Sequence, residues 1–338
     1  MVNEVIVQTL MESRTDNLVR DGVVETFWTE FMAYWRLFPN RGLFLILLGA
    51  WLMLFQFFGN GVRGYFDTPS IYVWMFRTYN GGSVTDDSHG NLVPFVVLSL
   101  MWWKRKELVA GALRSWTPAI GFVVFGLLLH LFGFAVQYTP TSIVGLFTGL
   151  YGLMGLAWGP GFMRAAFFPF VLFIFSVPLG RLAEPVTFNL RLAMATVVEF
   201  VARGVFGLDV VRQGTGLFDP AGGFQYDVAA ACSGLRSLWA MFILATAYGY
   251  VRFRASAQWV VLMLVAFPLA VIGNSCRLLL IVMAAKLVSK EMGDTVHEHW
   301  FFSLLPYVPV TIGLAWTAHL LTKFRVALAN ERAKGTLK

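Results

Sequence analysis

Cys232 lies in the run 229–237, Ala-Ala-Ala-Cys-Ser-Gly-Leu-Arg-Ser, between a polar stretch at 219–227 and an apolar one at 238–250. A cysteine at the mouth of an apolar helix is placed for nucleophilic chemistry. The unpaired amides of a helix's first turn and the positive end of its dipole favour thiolate over thiol. The same amides, here those of Ser233 and Gly234, can hold a developing oxyanion. Gly234 also permits close approach by backbone or substrate. The plainer reading of Cys232 is a small buried hydrophobe, and the rest of the chain decides between the two.

Thiolate attack on an amide carbonyl needs an acid/base and a cation or amide donors for the oxyanion. Arg277, His299 and His297 supply those types. Each is weak alone. An arginine at a helix end also snorkels to headgroups, and a His-x-His pair also suits a solvated loop or a metal. No HExxH-type helix accompanies the histidines, so no metal site and no cofactor is expected. Asn274, three residues before Arg277, shares its helix face and is suited to orienting the guanidinium or to capping a helix break. Cys276 is the second of only two cysteines, so one disulfide to Cys232 is an alternative to a free thiol.

The elements that must position these residues are set by composition. The 338 residues are 57% hydrophobic and 13% charged, about half the charge of a soluble domain. An all-α polytopic membrane protein is expected. The net charge of +7 lies between apolar segments rather than on one face, which argues against nucleic acid. Residues 1–41 read as a cytoplasmic leader with helical character and not as a cleaved signal peptide. About eight spans follow, near 42–58, 92–103, 117–136, 142–158, 165–179, 232–250, 257–276 and 300–322. The second is short and must begin within the preceding loop or thin the bilayer. Turns are expected at 137–141 and 158–164.

Between spans five and six the pattern breaks. The stretch 186–206 is apolar but carries Glu199 and Arg203 at i,i+4, which suggests a helix in the interface or against the bundle. The stretch 207–227 reads as a small extended or hairpin element. Residues 278–288 continue apolar after Arg277, and a re-entrant or shallow piece is expected there. The organisation is thus a leader at 1–41, a transmembrane domain at 42–322 with an outer-face element at about 180–231, and a basic tail at 323–338. The positive-inside rule puts both termini in the cytoplasm of an inner-membrane protein. On that topology Cys232, Arg277, His297, His299 and His89 all meet the outer face.

At these residues the chain resembles the exosortase/archaeosortase family of multi-span cysteine transpeptidases. Ala231-Cys232-Ser233-Gly234-Leu235-Arg236 resembles its nucleophile motif, and Asn274-Ser275-Cys276-Arg277 its N-x-x-R motif. A histidine before the last span is the third piece. Ser88-His89-Gly90 with Leu92-Val93-Pro94 is similar to its early S-H-G-x-L-V-P segment. The resemblance covers most of 65–322.

The resemblance implies Cys232 as nucleophile, Arg277 as transition-state stabiliser and His299 as acid/base, with Ser233, Gly234, Arg236, Asn274 and His89 in support. Glu298 supplies the acidic residue often found before the family's histidine. Ser303 and Leu304 stand where a glycine and an aromatic are usual, so His297 stays open. The implied substrates are secreted proteins with a C-terminal tail of recognition motif, transmembrane helix and basic end. The implied acceptor is a membrane lipid or polysaccharide precursor, with a link to exopolysaccharide. Two other readings remain: a protease that only hydrolyses, and a non-enzymatic subunit of a polysaccharide export system. The spans carry few ionisable residues, His130 and His319 chiefly, which weighs against a transport path.

Overall fold

The computed structural model describes residues 27–62, 67–81, 87–178, 184–227, 234–253, 256–299, 301–302 and 305–335. It is all-α apart from one small sheet, and the chain divides into two compact units. Among the described residues, four helical stretches are long and apolar enough to cross a membrane: Arg41–Phe58, Thr117–Ala135, Thr139–Ser176 and Gln258–Leu287.

The first unit comprises residues up to Asn80 and 90–178. Its helices are α1 (Phe27–Leu37), α2 (Arg41–Phe58), α3 (Ile71–Asn80), α4 (Val93–Trp103), α5 (Arg105–Ala110), α6 (Ile120–Ala135) and α7 (Thr139–Val171). A 3-10 turn at Asp87–Asn91 runs directly into α4, whose 11 residues are not among the four stretches long enough to cross a membrane. Gln137, with φ 54°, ends α6, and the Tyr138 amide returns to the Gly133 carbonyl at 2.8 Å. That is the left-handed helix cap the 137–141 turn calls for.

α7 folds back on itself at Gly159, whose φ of 90° no L side chain adopts easily. The Tyr151 hydroxyl reaches the Met163 carbonyl at 2.7 Å, and the Phe147 and Phe173 rings stack at 4.1 Å. Each pair joins one residue before Gly159 to one after it, as two antiparallel passes require. The expected turn at 158–164 is therefore real but much tighter.

The second unit comprises residues 81–89 and 179–338. It holds α8 (Glu184–Gly204), β1 (Val211–Gln213), β2 (Gly216–Phe218), β3 (Gln225–Asp227), α9 (Gly234–Arg252), α10 (Ser256–Leu287), α11 (Lys290–Glu298) and α12 (Tyr307–Gly335). The strands form an antiparallel sheet in the order β1-β2-β3, with Arg212 opposite Leu217 and Leu217 opposite Tyr226. This is the extended element expected before Cys232.

α8 buries Met194, Ala195, Val198 and Ala202, one stripe at helical spacing. The stripe packs with Leu217, Phe224 and Tyr226 of the sheet and with Leu278, Ile281 and Val282 of α10. The expected Glu199–Arg203 pair is present at 3.8 Å. Glu199 also accepts the Arg212 amide at 3.2 Å, which ties β1 to α8.

Two sequence expectations need correction. α10 has no break at Arg277: it is one helix of 32 residues, roughly 48 Å long against about 30 Å of bilayer hydrocarbon. Leu278 to Leu287 contains no helix breaker, and its apolar face is covered by α8 and the sheet. A charge at position 277 marks no helix end when protein covers the next turns. The last long helix, α12, starts at Tyr307 rather than near 300. Before it, α11 ends at Glu298, and Phe301 and Phe302 are helical separately; Ser289 caps α11 by accepting the Met292 amide at 3.3 Å.

Candidate active site

α10 is the spine of the site. On its inner face Asn274 is buried, while Cys276 points outward and is exposed. Arg277 is half-buried, and its Nη2 donates to the His297 carbonyl at 3.2 Å. That carbonyl belongs to the last turn of α11, where helix carbonyls lack intrahelical partners and the dipole is negative. The guanidinium thus caps α11 and holds the histidine segment against α10. Arg277 and the His297–His299 segment are brought together as the sequence reading requires.

The two histidines sit differently. His297 is half-buried and His299 exposed. The His299 amide closes the helix on the Thr295 carbonyl at 2.9 Å. Its ring Nδ1 accepts the Phe301 amide at 3.3 Å, and the ring packs edge-on to Phe302 at 5.8 Å. A neutral imidazole that accepts at Nδ1 carries its proton on Nε2. In this arrangement the neutral His299 ring presents an N–H from Nε2, and acting as a general acid requires a second proton on the ring, at Nδ1, which displaces the Phe301 amide.

Asn274 departs from the expected role. Its hydrogen bonds go across the bundle: Nδ2 donates to the Met194 sulfur at 3.1 Å, and Oδ1 accepts from the Tyr307 hydroxyl at 3.1 Å. It orients neighbouring helices rather than the guanidinium, and with α10 continuous it caps no break. Tyr307 and Met194 were not singled out from sequence. Neither carries a local signal, since they lie 33 and 80 residues from Asn274.

Cys232 and Ser233 lie outside the described residues, as does any pairing of Cys232 with Cys276. Gly234 is the first residue of α9 and Arg236 stands in its first turn. His89 is buried in the Asp87–Asn91 turn and stacks on Trp239, on the next turn of α9, at 5.8 Å. The structure therefore sets the early S-H-G segment beside the start of the helix that follows Cys232.

Electrostatics reinforce the sheet end of α10. Lys286 Nζ lies 2.6 Å from Asp219. That hydrogen bond, with the Ala221 amide, holds the Asp219 carboxyl below its usual range. Burial, helped by the hydrogen bond to Asp294 at 3.0 Å, pushes the Tyr226 hydroxyl well above its ordinary pKa. Backbone and Ser289 hydrogen bonds at the α11 N-terminus lower Glu291. Among the described residues no group of three or more His, Cys, Asp or Glu side chains gathers in a metal-binding cluster.

A polytopic helical membrane protein with an Arg–His pairing on a spine helix is the class these features define. The comparisons with known proteins narrow it. The profile of the transmembrane exosortase family matches residues 82–316, most of the chain and the range in which the candidate site residues lie. The chain belongs to that family, and membership supports a membrane transpeptidase-type role. No curated protein and no solved structure matches it.

Proposed function

We propose that the chain is a cysteine transpeptidase that removes a C-terminal sorting tail from secreted proteins and transfers them to a cell-surface acceptor. The observation that carries this reading is the hold of Arg277 on the His297 carbonyl, which sets a cation beside two histidines in a chain of exosortase type. The Cys232 thiolate attacks the scissile carbonyl and forms a tetrahedral oxyanion. A guanidinium has five N–H donors, enough to hold a helix carbonyl and face an oxyanion at once. His299 takes the proton that the Cys232 thiol gives up; as the C–N bond breaks, the resulting imidazolium passes that proton to the leaving amine and returns to neutral imidazole, and the protein remains on Cys232 as a thioester. An acceptor nucleophile then attacks the thioester, loses its proton to the imidazole and frees the thiolate. The charge distribution favours cytoplasmic termini in an inner membrane, with this chemistry at the outer face. A lipid or polysaccharide precursor, linked to exopolysaccharide, fits as acceptor.

The test is co-expression with a reporter bearing a candidate sorting tail, with wild type and Cys232→Ala compared by intact mass. Loss of the tail with wild type only, and added mass on the new C-terminus, is the expected result. Loss without added mass means hydrolysis with water as acceptor. Intact reporters with every tail tried, both proteins being present in the membrane, mean a non-enzymatic export or assembly role.

A further inference from the structure

We infer that Tyr307 is a positioning residue for the histidine segment, and that residues 273–277 of α10 clamp both ends of that segment. The inference rests on the transpeptidase reading, because it assigns a task to a residue outside the reacting groups.

Arg277 holds one end, through the His297 carbonyl at 3.2 Å. One turn earlier on the same helix, Gly273 and Asn274 hold the other end. A Cβ on Gly273 would lie 2.8 Å from Val310 Cγ2 and 3.2 Å from Tyr307 Cδ1. Only a bare glycine backbone lets the first turn of α12 come this close. The Tyr307 ring therefore lies on Gly273 while its hydroxyl donates to Asn274 Oδ1 at 3.1 Å. Asn274 is itself fixed, being buried and bonded through Nδ2 to Met194 of α8.

The span between the two anchors, 298–306, contains His299. With both ends held by the same turn of α10, the distance that His299 can travel from Arg277 is limited. An amide and a phenol are suited to this task. Their hydrogen bond has one register, whereas an apolar contact tolerates sliding. A ring alone would seat α12 on Gly273 without fixing its rotation.

The experiment uses the full chain in detergent or nanodiscs. Tyr307→Phe keeps the ring and removes the hydroxyl. Gly273→Ala keeps every hydrogen-bonding atom and displaces the ring. Amide hydrogen exchange of 298–306 is measured for each, with the sheet at 211–227 as internal reference, beside kcat and KM for tail processing. Tyr307→Phe is expected to speed exchange in 298–306 about fivefold, the equivalent of one hydrogen bond, and to leave the sheet unchanged. It should lower kcat by a similar factor with KM within twofold, since substrate binding is not touched. Gly273→Ala should do the same through the ring. Wild-type exchange and kcat in both variants would overturn the clamp and leave the transpeptidase reading standing. If wild type processes no tail, that reading fails, and the exchange data still decide whether the clamp exists.

Discussion

Gly149 in the first unit and Gly273 in the second each let an aromatic ring approach a helix backbone, but the rings spend their polar atoms differently. At Gly149 the ring is Trp51, and its Nε1 donates to the Leu146 carbonyl at 3.0 Å. At Gly273 the ring is Tyr307, and its hydroxyl donates to the Asn274 side chain. A bond to a backbone carbonyl survives almost any change in the partner's side chain. A bond to a side chain depends on two chosen residues in one register. In the first unit Trp158 is likewise on the Pro39 carbonyl at 3.2 Å, beside side-chain pairs such as Arg105–Glu30, Thr139–Asn60 and His130–Ser142. The second is laced by side-chain pairs: Asp219–Lys286, Tyr226–Asp294, Glu199–Arg212 and Asn274–Tyr307. The difference lies at the two glycines: the ring over Gly149 is registered on a main-chain carbonyl, and the ring over Gly273 on the Asn274 side chain, three residues before Arg277.

The sharpest way to break this comparison is Gly149→Leu. A Cβ at that position would lie 2.0 Å from Trp51 Cζ2, a clash with a ring already buried against the helix. Overpacking of this kind should cost roughly 3 kcal/mol or more and abolish accumulation of folded protein, measured as monodisperse yield from membranes. A normal yield would mean the α2–α7 contact is not structural.

Arg277→Lys should act in the opposite way, leaving yield near wild type and lowering tail processing about 10²-fold. A lysine is a point charge and cannot hold a carbonyl and an oxyanion with one planar fork. Unchanged turnover would remove Arg277 from the mechanism. Paired with it, His299→Ala should be more severe than His297→Ala in a single-turnover assay. The reverse order would move the acid/base role to His297.

How much of this was legible in the sequence follows from distance along the chain. The fold-back of α7 falls within the expected 158–164 turn, where a glycine and a proline punctuate the chain locally. The Glu199–Arg203 pair and the extended element before Cys232 were likewise local patterns. The continuity of α10 was hidden because Arg277 looked like the end of a span. Only the α8 stripe and the sheet, folded over 278–282, explain why an apolar helix continues past it. Tyr307 and Met194 gave no signal at all. Their partner is an asparagine whose face could be read but whose neighbours could not.

A smaller effect separates the ion pair of the sheet end from the packing beneath it. The Asp219 carboxyl is held below its usual range by Lys286 and the Ala221 amide. Its contribution is complete above the unfolded value of about 3.9 and is lost as pH falls through the lower folded value. Asp219→Asn should therefore lower the thermal midpoint at pH 5–8, and the gap to wild type should close below about pH 4. A gap that persists at pH 2.5 would assign the effect to packing and not to the pair.

The smallest expected effect is at Tyr226, where the two patterns meet in one residue. Its ring belongs to the core formed with Leu217, Phe224 and Ile281, and its hydroxyl donates to Asp294 of α11. Tyr226→Phe keeps the ring and should cost about 1 kcal/mol, the typical worth of one hydrogen bond. The pH dependence runs opposite to that of Asp219. Burial raises the hydroxyl's pKa above its unfolded value of about 10, so the native state binds that proton more tightly. Wild type should hold its advantage over the variant below pH 10 and lose it as pH rises further, because the unfolded tyrosine ionises first. Thermal midpoints of the two proteins at pH 8 and pH 11 test this. No gap at pH 8 would mean that the Asp294 contact contributes nothing and the ring alone secures the sheet to α11, and an equal gap at both pH values would mean that the fold does not hold the hydroxyl protonated.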